Sequence, residues 1–342
     1  MSLPPDIFKT LAAGDRLKPE TLDAALTTIL AGKSNDAQVA ALLLGLEAVG
    51  LTAAEIRVGT DVMRRHMTPV DINANVIDIV GTGGTGLHTL SISTACALVC
   101  AGAGAQVAKH GNRAASSLTG TADTLSTLGV NLAISPEKAA ECVDKAGLGF
   151  LFAPNHHPAM RHVGPARKAL GIRTLFNLLG PMSNPAGAKR MLLGVSEDRF
   201  RRPMAEALLE LGAKHIWVVH GDDGLDEITT TGATNVSEVK DGNVRDFTIS
   251  PQSYGIDIVT IDALRGGQPN ENALALTELL GAQHSAYRDI VLLNSGAALM
   301  IAGLATDIPA GIDMAAVSID SGKARKALDT LIQVSNGKFS NG

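Results

Sequence analysis

Aromatic residues are scarce in this chain: one Trp, two Tyr and seven Phe make up 3% of 342 residues. That scarcity argues against the stacking platforms that hold single-stranded nucleic acid. It leaves the core to Ala, Leu, Val and Ile, within an apolar share of 45%. Positive charge is not in excess either, and a net charge of −5 offers no basic footprint to a polyanion. Cysteine is rare, and the odd count of three suits a reducing compartment better than a disulfide framework. Cys96 and Cys100 lie one helical turn apart; a metal pair is one reading, two small buried side chains the simpler one. The chain does not open on a basic stretch followed by an apolar one, so no signal peptide is expected. No apolar run reaches membrane-spanning length. The expectation is a soluble, cytoplasmic protein without membrane or nucleic-acid partners. Internal repeats and low-complexity segments are missing as well.

What is present divides into two patterns. Residues 1–70 read as all-helical. Pro19 stands at a first-turn position and Gly32 closes that helix. Ser34-Asn35-Asp36 caps a second helix, and Thr52 with Glu55 fits a capping box that opens a third, running towards Met67. The segment 39–49 is apolar all round, which suits a core helix or a subunit interface. From Val76 the pattern changes to alternating strand and helix, with strands expected at 76–80, 105–108, 149–152, 191–195 and 216–219. Such alternation implies an α/β fold with a mostly parallel central sheet, covered on both faces, with ligands at the carboxyl ends of its strands. Two stretches interrupt it: a helical piece from Pro158 to Gly171 and an irregular connection over 177–185. The expected organisation is a small helical domain, 1–70, to which the chain returns near 158–185, and a larger α/β domain, 71–157 with 186–342. Asp241-Gly242 marks a hairpin, helices follow at 273–280, 286–304 and 324–334, and the polar tail from Ser335 should fray.

Three polar clusters each follow an expected strand and should share one rim. The first is Gly81-Thr82-Gly83-Gly84-Thr85-Gly86, leading through Thr89, Ser91, Ser93 and Thr94 into an apolar helix. Strand, glycine loop and helix start place bare backbone N–H groups around an anion. The hydroxyls can then cap the helix, bind phosphate or touch a metal. A tight turn in an α/β protein explains the loop equally well, and it has neither the ending of a P-loop nor a dinucleotide fingerprint. The second cluster, from Lys109-His110-Gly111-Asn112-Arg113 to Ser116, Ser117, Thr119 and Thr121, supplies charge and donors for a phosphate, or is a solvated loop. The third, His220-Gly221-Asp222-Asp223-Gly224-Leu225-Asp226-Glu227, is a charged turn or a Mg²⁺ site of one or two carboxylates completed by phosphate and water.

Taken together, Gly81-Thr82-Gly83-Gly84, Lys109-His110-Gly111-Asn112-Arg113 and Gly224-Leu225-Asp226-Glu227 resemble the anthranilate phosphoribosyltransferase family of tryptophan biosynthesis. The stretch Phe150-Leu151-Phe152-Ala153-Pro154-Asn155-His156-His157-Pro158-Ala159-Met160 is similar to the family pattern too, as are Gly171-Ile172-Arg173-Thr174 and Asn177-Leu178-Leu179-Gly180-Pro181. The resemblance covers nearly the whole chain. It implies a homodimer of nucleoside-phosphorylase-like fold whose helical domain carries the dimer contact. Carried over by position, Gly81, Gly84, Thr85, Thr89, Ser91, Ser93, Thr94, Lys109, Ser117 and Thr121 would line the phosphoribosyl pyrophosphate site. Ser93, Asp226 and Glu227 would contact Mg²⁺, as two ions, while Gly81, Asn112 and Arg167 would hold anthranilate. Catalysis would then rest on positioning and electrostatics without a protein nucleophile; His110, His156 and His157 lie near the rim, as proton relays or as packing residues. The chain departs from the family at Thr85, where aspartate is usual, and at Ser91, where asparagine is usual. The competing readings are a pyrimidine nucleoside phosphorylase-like enzyme and a non-enzymatic, nucleic-acid-binding paralogue.

Overall fold

Local capping chemistry sets the first helices. The computed structural model describes residues 3–114 and 118–338. Helices α1 (Pro5–Ala12) and α2 (Pro19–Leu30) each begin on a proline, whose missing N–H is no loss in a first turn. The Asn35 side chain accepts the Gln38 amide at 2.9 Å and starts α3 (Asp36–Val49). Thr52 and Glu55 cap one another's backbone at the head of α4 (Ala53–Arg65). Leu22, Leu26, Ile29, Leu42, Leu43, Leu46 and Ile56 are buried between these helices. α3 leaves Ala37, Ala41, Leu44 and Ala48 exposed along one stripe, with Leu44 half uncovered at 50%.

Among the described residues seven strands form one sheet in the order β3-β2-β1-β4-β5-β6-β7. β1 (Ile77–Gly81), β2 (Val107–Gly111), β3 (Leu148–Phe152), β4 (Arg190–Gly194) and β5 (His215–Gly221) run parallel, as near-continuous apolar runs buried on both faces should. β6 (Thr234–Lys240) and β7 (Asn243–Ile249) add an antiparallel hairpin, turned at Asp241 and Gly242, both with positive φ. The chain winds outward from β1 to β3 and then restarts on the other flank of β1 with β4. The gap between the carboxyl ends of β1 and β4 is therefore the topological switch point, where such sheets take ligands.

Between β1 and β2 runs α5 (Ile92–Gly102); α6 (Thr121–Thr127) and α7 (Pro136–Ala146) precede β3. α8 (Ala153–His156), a 3-10 turn at Pro158–His162, α9 (Gly164–Leu170) and α10 (Leu175–Met182) lead to β4, and α11 (Arg201–Glu210) leads to β5. After the hairpin come α12 (Pro269–Leu280), α13 (Ala286–Ala302), α14 (Ile308–Asp320) and α15 (Lys323–Ser335). One core lies between α5, α13, α14, α15 and one face of the sheet. A second joins α11 and the opposite face, through Leu193 and Val218, to Met63 and the N-terminal helices without a break. α9 packs on α3, and α10 on α4 and α3.

Residues 177–182 are helical, which corrects the irregular connection expected over 177–185. Gly180-Pro181 reads locally as a breaker, but Pro181 stands in the last turn, where it costs one backbone bond. Burial of Leu175, Phe176, Leu178 and Leu179 outweighs that loss, and Arg64 donates twice to the terminal Met182 carbonyl, at 3.1 and 2.8 Å. The tail expected to fray is helical to Ser335, and residues 339–342 lie outside the described ones. The single indole, Trp217 on β5, is 3% exposed, donates to Glu238 at 2.9 Å and meets the Phe247 ring edge-on at 5.2 Å. No helix among the described residues is long and apolar enough to cross a membrane.

Candidate functional site

The crevice at the switch point is built around Asp226. Its backbone and carboxylate fill the space beyond β1 and β4 so closely that a side chain on either strand end would collide. A Cβ on Gly81 would stand 2.2 Å from Asp226 Oδ2, and one on Gly194 would stand 1.6 Å from the Asp226 carbonyl oxygen. The glycine loop then folds over the carboxylate: the Gly83 N–H donates to Asp226 Oδ2 at 2.7 Å. Gly83, Gly84 and Gly86 all take positive φ. Among the described residues the N–H groups of Gly84, Thr85 and Gly86 have no protein acceptor. Three bare donors beside a carboxylate pair suit an anion that arrives with its own cation.

Glu227 follows in the same crevice and accepts the Ser93 backbone N–H at the head of α5. Burial, and then the neighbouring Asp226, push Glu227 up to about 8, and burial raises Asp226 as well. Lys109 lies beneath the crevice rather than at its mouth, 1% exposed, with Nζ on the Ile79 carbonyl. Burial lowers its pKa, opposed by Asp78, Glu227 and Asp226, so the ammonium is a counter-charge under the acidic pair. Asp78, likewise buried, is pushed up to about 6, although the Lys109 charge and the Asn184 amide, at 2.6 Å, favour its ionised form.

The second cluster reaches the same rim with a different division of labour. Arg113 is not a free cation: it pairs with Asp123 at 2.7 Å, which also accepts the Ala114 and Gly120 amides. In this arrangement the ion pair closes the loop on itself. Ser91 does not cap α5 with its hydroxyl, which meets Thr124 Oγ1 at 2.8 Å. Thr94 is 1% exposed and its hydroxyl has no partner. Thr121 opens α6, Asn112 folds its side-chain oxygen onto the Arg113 amide at 2.7 Å, and Ser116 and Ser117 lie outside the described residues. Thr89 forms a β-bridge with Arg265, and Thr119 donates to the Gly267 carbonyl at 2.7 Å. The 265–267 stretch thus forms a wall that sequence reasoning missed, because no local pattern joins it to a loop so far away in sequence.

Arg167, on α9, is half-buried without a hydrogen bond or ion pair among the described residues, and burial lowers its pKa. An unpaired guanidinium of this kind is ready for a carboxylate. Burial also lowers His110 well below the usual histidine range and takes His157 to about 4. Their rings lie 5.0 Å apart, each with an unpartnered Nε2. His156 instead bonds the Thr68 carbonyl at 3.1 Å. Cys96 and Cys100 are buried thiols facing the Val291 and Ser295 carbonyls, the packing role expected of them. Among the described residues no group of three or more His, Cys, Asp and Glu stands ready for a metal. A pair of half-compensated carboxylates fits Mg²⁺, which keeps waters and takes the rest of its shell from phosphate.

A helical bundle joined to a largely parallel sheet, with a glycine loop over acidic residues at the switch point, is the two-part architecture of a glycosyl transferase. The chain matches the glycosyl transferase family's helical bundle domain over 5–67 and its a/b domain over 73–325. It belongs to the anthranilate phosphoribosyltransferase family. The enzyme of that name from Parvibaculum lavamentivorans is 51% identical over 97% of both chains, and that from Agrobacterium fabrum 50% identical over 96% of both. The Thermus thermophilus anthranilate phosphoribosyltransferase superposes with a TM-score of 0.91 at 40% identity, covering 97% of this chain and 99% of that one. The Saccharomyces cerevisiae enzyme in complex with PRPP and Mg gives 0.90 at 29% identity, over 97% and 98%.

Proposed function

We propose that this chain transfers the phosphoribosyl group of phosphoribosyl pyrophosphate to the amine of anthranilate, giving N-(5-phosphoribosyl)anthranilate and pyrophosphate in tryptophan biosynthesis. The observation that carries the reading is the glycine loop seated on Asp226 at the switch point, with three N–H groups unused beside it. Gly81, Gly84, Thr85, Thr89, Ser91, Ser93, Thr94, Lys109, Ser117 and Thr121 form the phosphoribosyl pyrophosphate site in this reading. The loop amides and hydroxyls bind phosphate oxygens, and Lys109 tempers the negative charge from below. Asp226, Glu227 and Ser93 would hold two Mg²⁺ ions, which would supply positive charge to the pyrophosphate leaving group. Arg167 faces the anthranilate carboxylate, with Asn112 and the Gly81 backbone beside it. The aryl amine is neutral at pH 7 and attacks without prior deprotonation, so positioning and electrostatics do the work.

The molecule divides in this reading into a helical domain, 1–70 with the return near 158–185, and an α/β domain from the remainder. Packing of α9 and α10 on α3 and α4 supports that division. The exposed Ala37-Ala41-Leu44-Ala48 stripe of α3 supports a homodimer built on the helical domain, and a cytoplasmic enzyme belongs to the same reading. Mixing the protein with phosphoribosyl pyrophosphate, Mg²⁺ and anthranilate should form the phosphoribosyl product, while thymidine phosphorolysis and nucleic-acid titration should give nothing. Glu227→Ala should abolish most turnover with the fold intact by circular dichroism. A folded Glu227→Ala protein with normal turnover and a normal Mg²⁺ response would remove Glu227 from the metal site.

A further inference from the structure

Gly83 is held from both of its peptides. Its N–H rests on Asp226 Oδ2 at 2.7 Å, and its carbonyl accepts Arg173 Nη1 at 2.8 Å. Arg173 comes from the turn between α9 and α10, and nothing in its neighbours predicts a partner ninety residues upstream. The arginine stands in a chain of charges: Nε lies 3.3 Å from Glu197, an ion pair without hydrogen-bond alignment, while Glu197 pairs with Arg199 and Arg199 with Glu47 of α3, each at 2.8 Å. A continuous polar chain therefore runs from the carboxylate at the switch point to the helix with the exposed apolar stripe.

In a trans peptide the N–H points opposite to the C=O. With the Gly83 carbonyl fixed on Arg173, the Gly84 N–H is turned away from the arginine and left without an acceptor. Glycine at positive φ has little intrinsic preference to keep that orientation, and within the loop the Gly83 carbonyl accepts the Thr82 hydroxyl only at a long 3.4 Å, so the 2.8 Å bond from Arg173 is the stronger hold. The fit is close enough that a Cβ on Gly84 would stand 2.3 Å from Arg173 Nη1.

We propose that Arg173 is a positioning residue: it fixes the Gly83–Gly84 peptide so that the loop presents its N–H groups to a pyrophosphate-type anion. Through Glu197 and Arg199 it keys that setting to Glu47 on α3. The identity of the anion rests on the functional reading above; the hold on Gly83 does not. Arg173 itself touches neither substrate nor reacting atoms in this role.

Hydrogen exchange of the Gly83 amide in the ligand-free protein, read by NMR, tests the hold through the adjoining peptide, whose bond to Asp226 should loosen once the carbonyl is released. Calorimetry with Mg²⁺-pyrophosphate tests its consequence. Arg173→Ala should speed Gly83 exchange and weaken pyrophosphate by about tenfold each, the scale of one charge-assisted hydrogen bond. Anthranilate KM and melting temperature should stay close to wild type. Glu47→Gln should shift both readouts the same way by less, and its effect should vanish in the Arg173→Ala background. Arg173→Lys, which keeps the charge but lacks the second donor edge, should fall between and serves if the alanine variant does not fold. Unchanged Gly83 exchange and pyrophosphate affinity in a folded Arg173 variant overturn the proposal, and additive effects of Glu47→Gln overturn the link to α3. A wild-type protein inactive towards anthranilate would instead overturn the functional reading, with the exchange result still deciding the hold.

Discussion

Arg167 carries the most direct prediction about the acceptor. A half-buried guanidinium without a protein partner pays desolvation that only an anion can offset. Arg167→Ala should raise the anthranilate KM by on the order of 1.5–3 kcal/mol of lost contact while leaving phosphoribosyl pyrophosphate affinity nearly untouched. Equal losses for both substrates, measured calorimetrically, would place the arginine elsewhere. His157 sets an acid limit on stability. Burial depresses its pKa from 6.5 to about 4, so its neutral form is favoured by folding. The contribution is complete above pH 6.5 and is lost as pH falls from 6.5 to about 4, where the unfolded chain takes up the proton and the folded one does not; below 4 both are protonated and the loss levels off. Wild type relative to His157→Asn should lose on the order of 3 kcal/mol across that window, by urea unfolding at each pH. His110 is depressed in the same direction, partly by the His157 charge beside it, so the difference carries the response of His110 to the substitution as well.

At the scale of elements, the seat of Asp226 is the sharpest constraint. Gly194→Ala would drive a Cβ into the Asp226 backbone, 1.6 Å from its carbonyl oxygen. Activity should fall to a small residue and the Mg²⁺ response should flatten, with a stability loss of about 1–3 kcal/mol and an unchanged circular-dichroism spectrum. Normal kinetics in that variant would mean that the 222–227 loop yields freely. Sequence read these elements unevenly, for physical reasons. The strands were legible because buried parallel strands are β-branched, as in Ile77-Asp78-Ile79-Val80, and the first helices because Asn35 and Thr52 cap them locally. α14 is not among the expected helices although Ile308, Gly311, Ala315, Ser318 and Ile319 share one buried face: glycine, alanine and serine fill that face, so its helical period is faint in the sequence. α10 was read as irregular because the cost of Pro181 is local and the burial that offsets it is not. At the site, the acidic pair and the glycine loop were legible as short motifs. Arg173 on Gly83, Arg265 beside Thr89 and the Arg113–Asp123 pair were not, since each is a tertiary contact or a choice between nearby partners.

For the whole molecule, the apolar stripe on α3 is the face on which the proposed homodimer would rest. Leu44 at 50% exposure, flanked by three exposed alanines, permits close helix approach at the cost of an apolar surface in water. Leu44→Glu should convert a dimer to monomers in sedimentation equilibrium, with each subunit still folded. Persistence of the dimer would move the interface off this helix.

The solitary indole gives the protein an unusual optical character. Trp217 is sealed at the β5–β6 edge, against Phe247 and bonded to Glu238, away from the carboxyl ends of the strands. Its emission should stay nearly constant as ligands enter the crevice and shift only when the sheet edge itself opens. Anthranilate is a fluorophore in its own right and emits at longer wavelength than indole. One cuvette can therefore follow turnover in the acceptor's colour and integrity of the sheet in the protein's own.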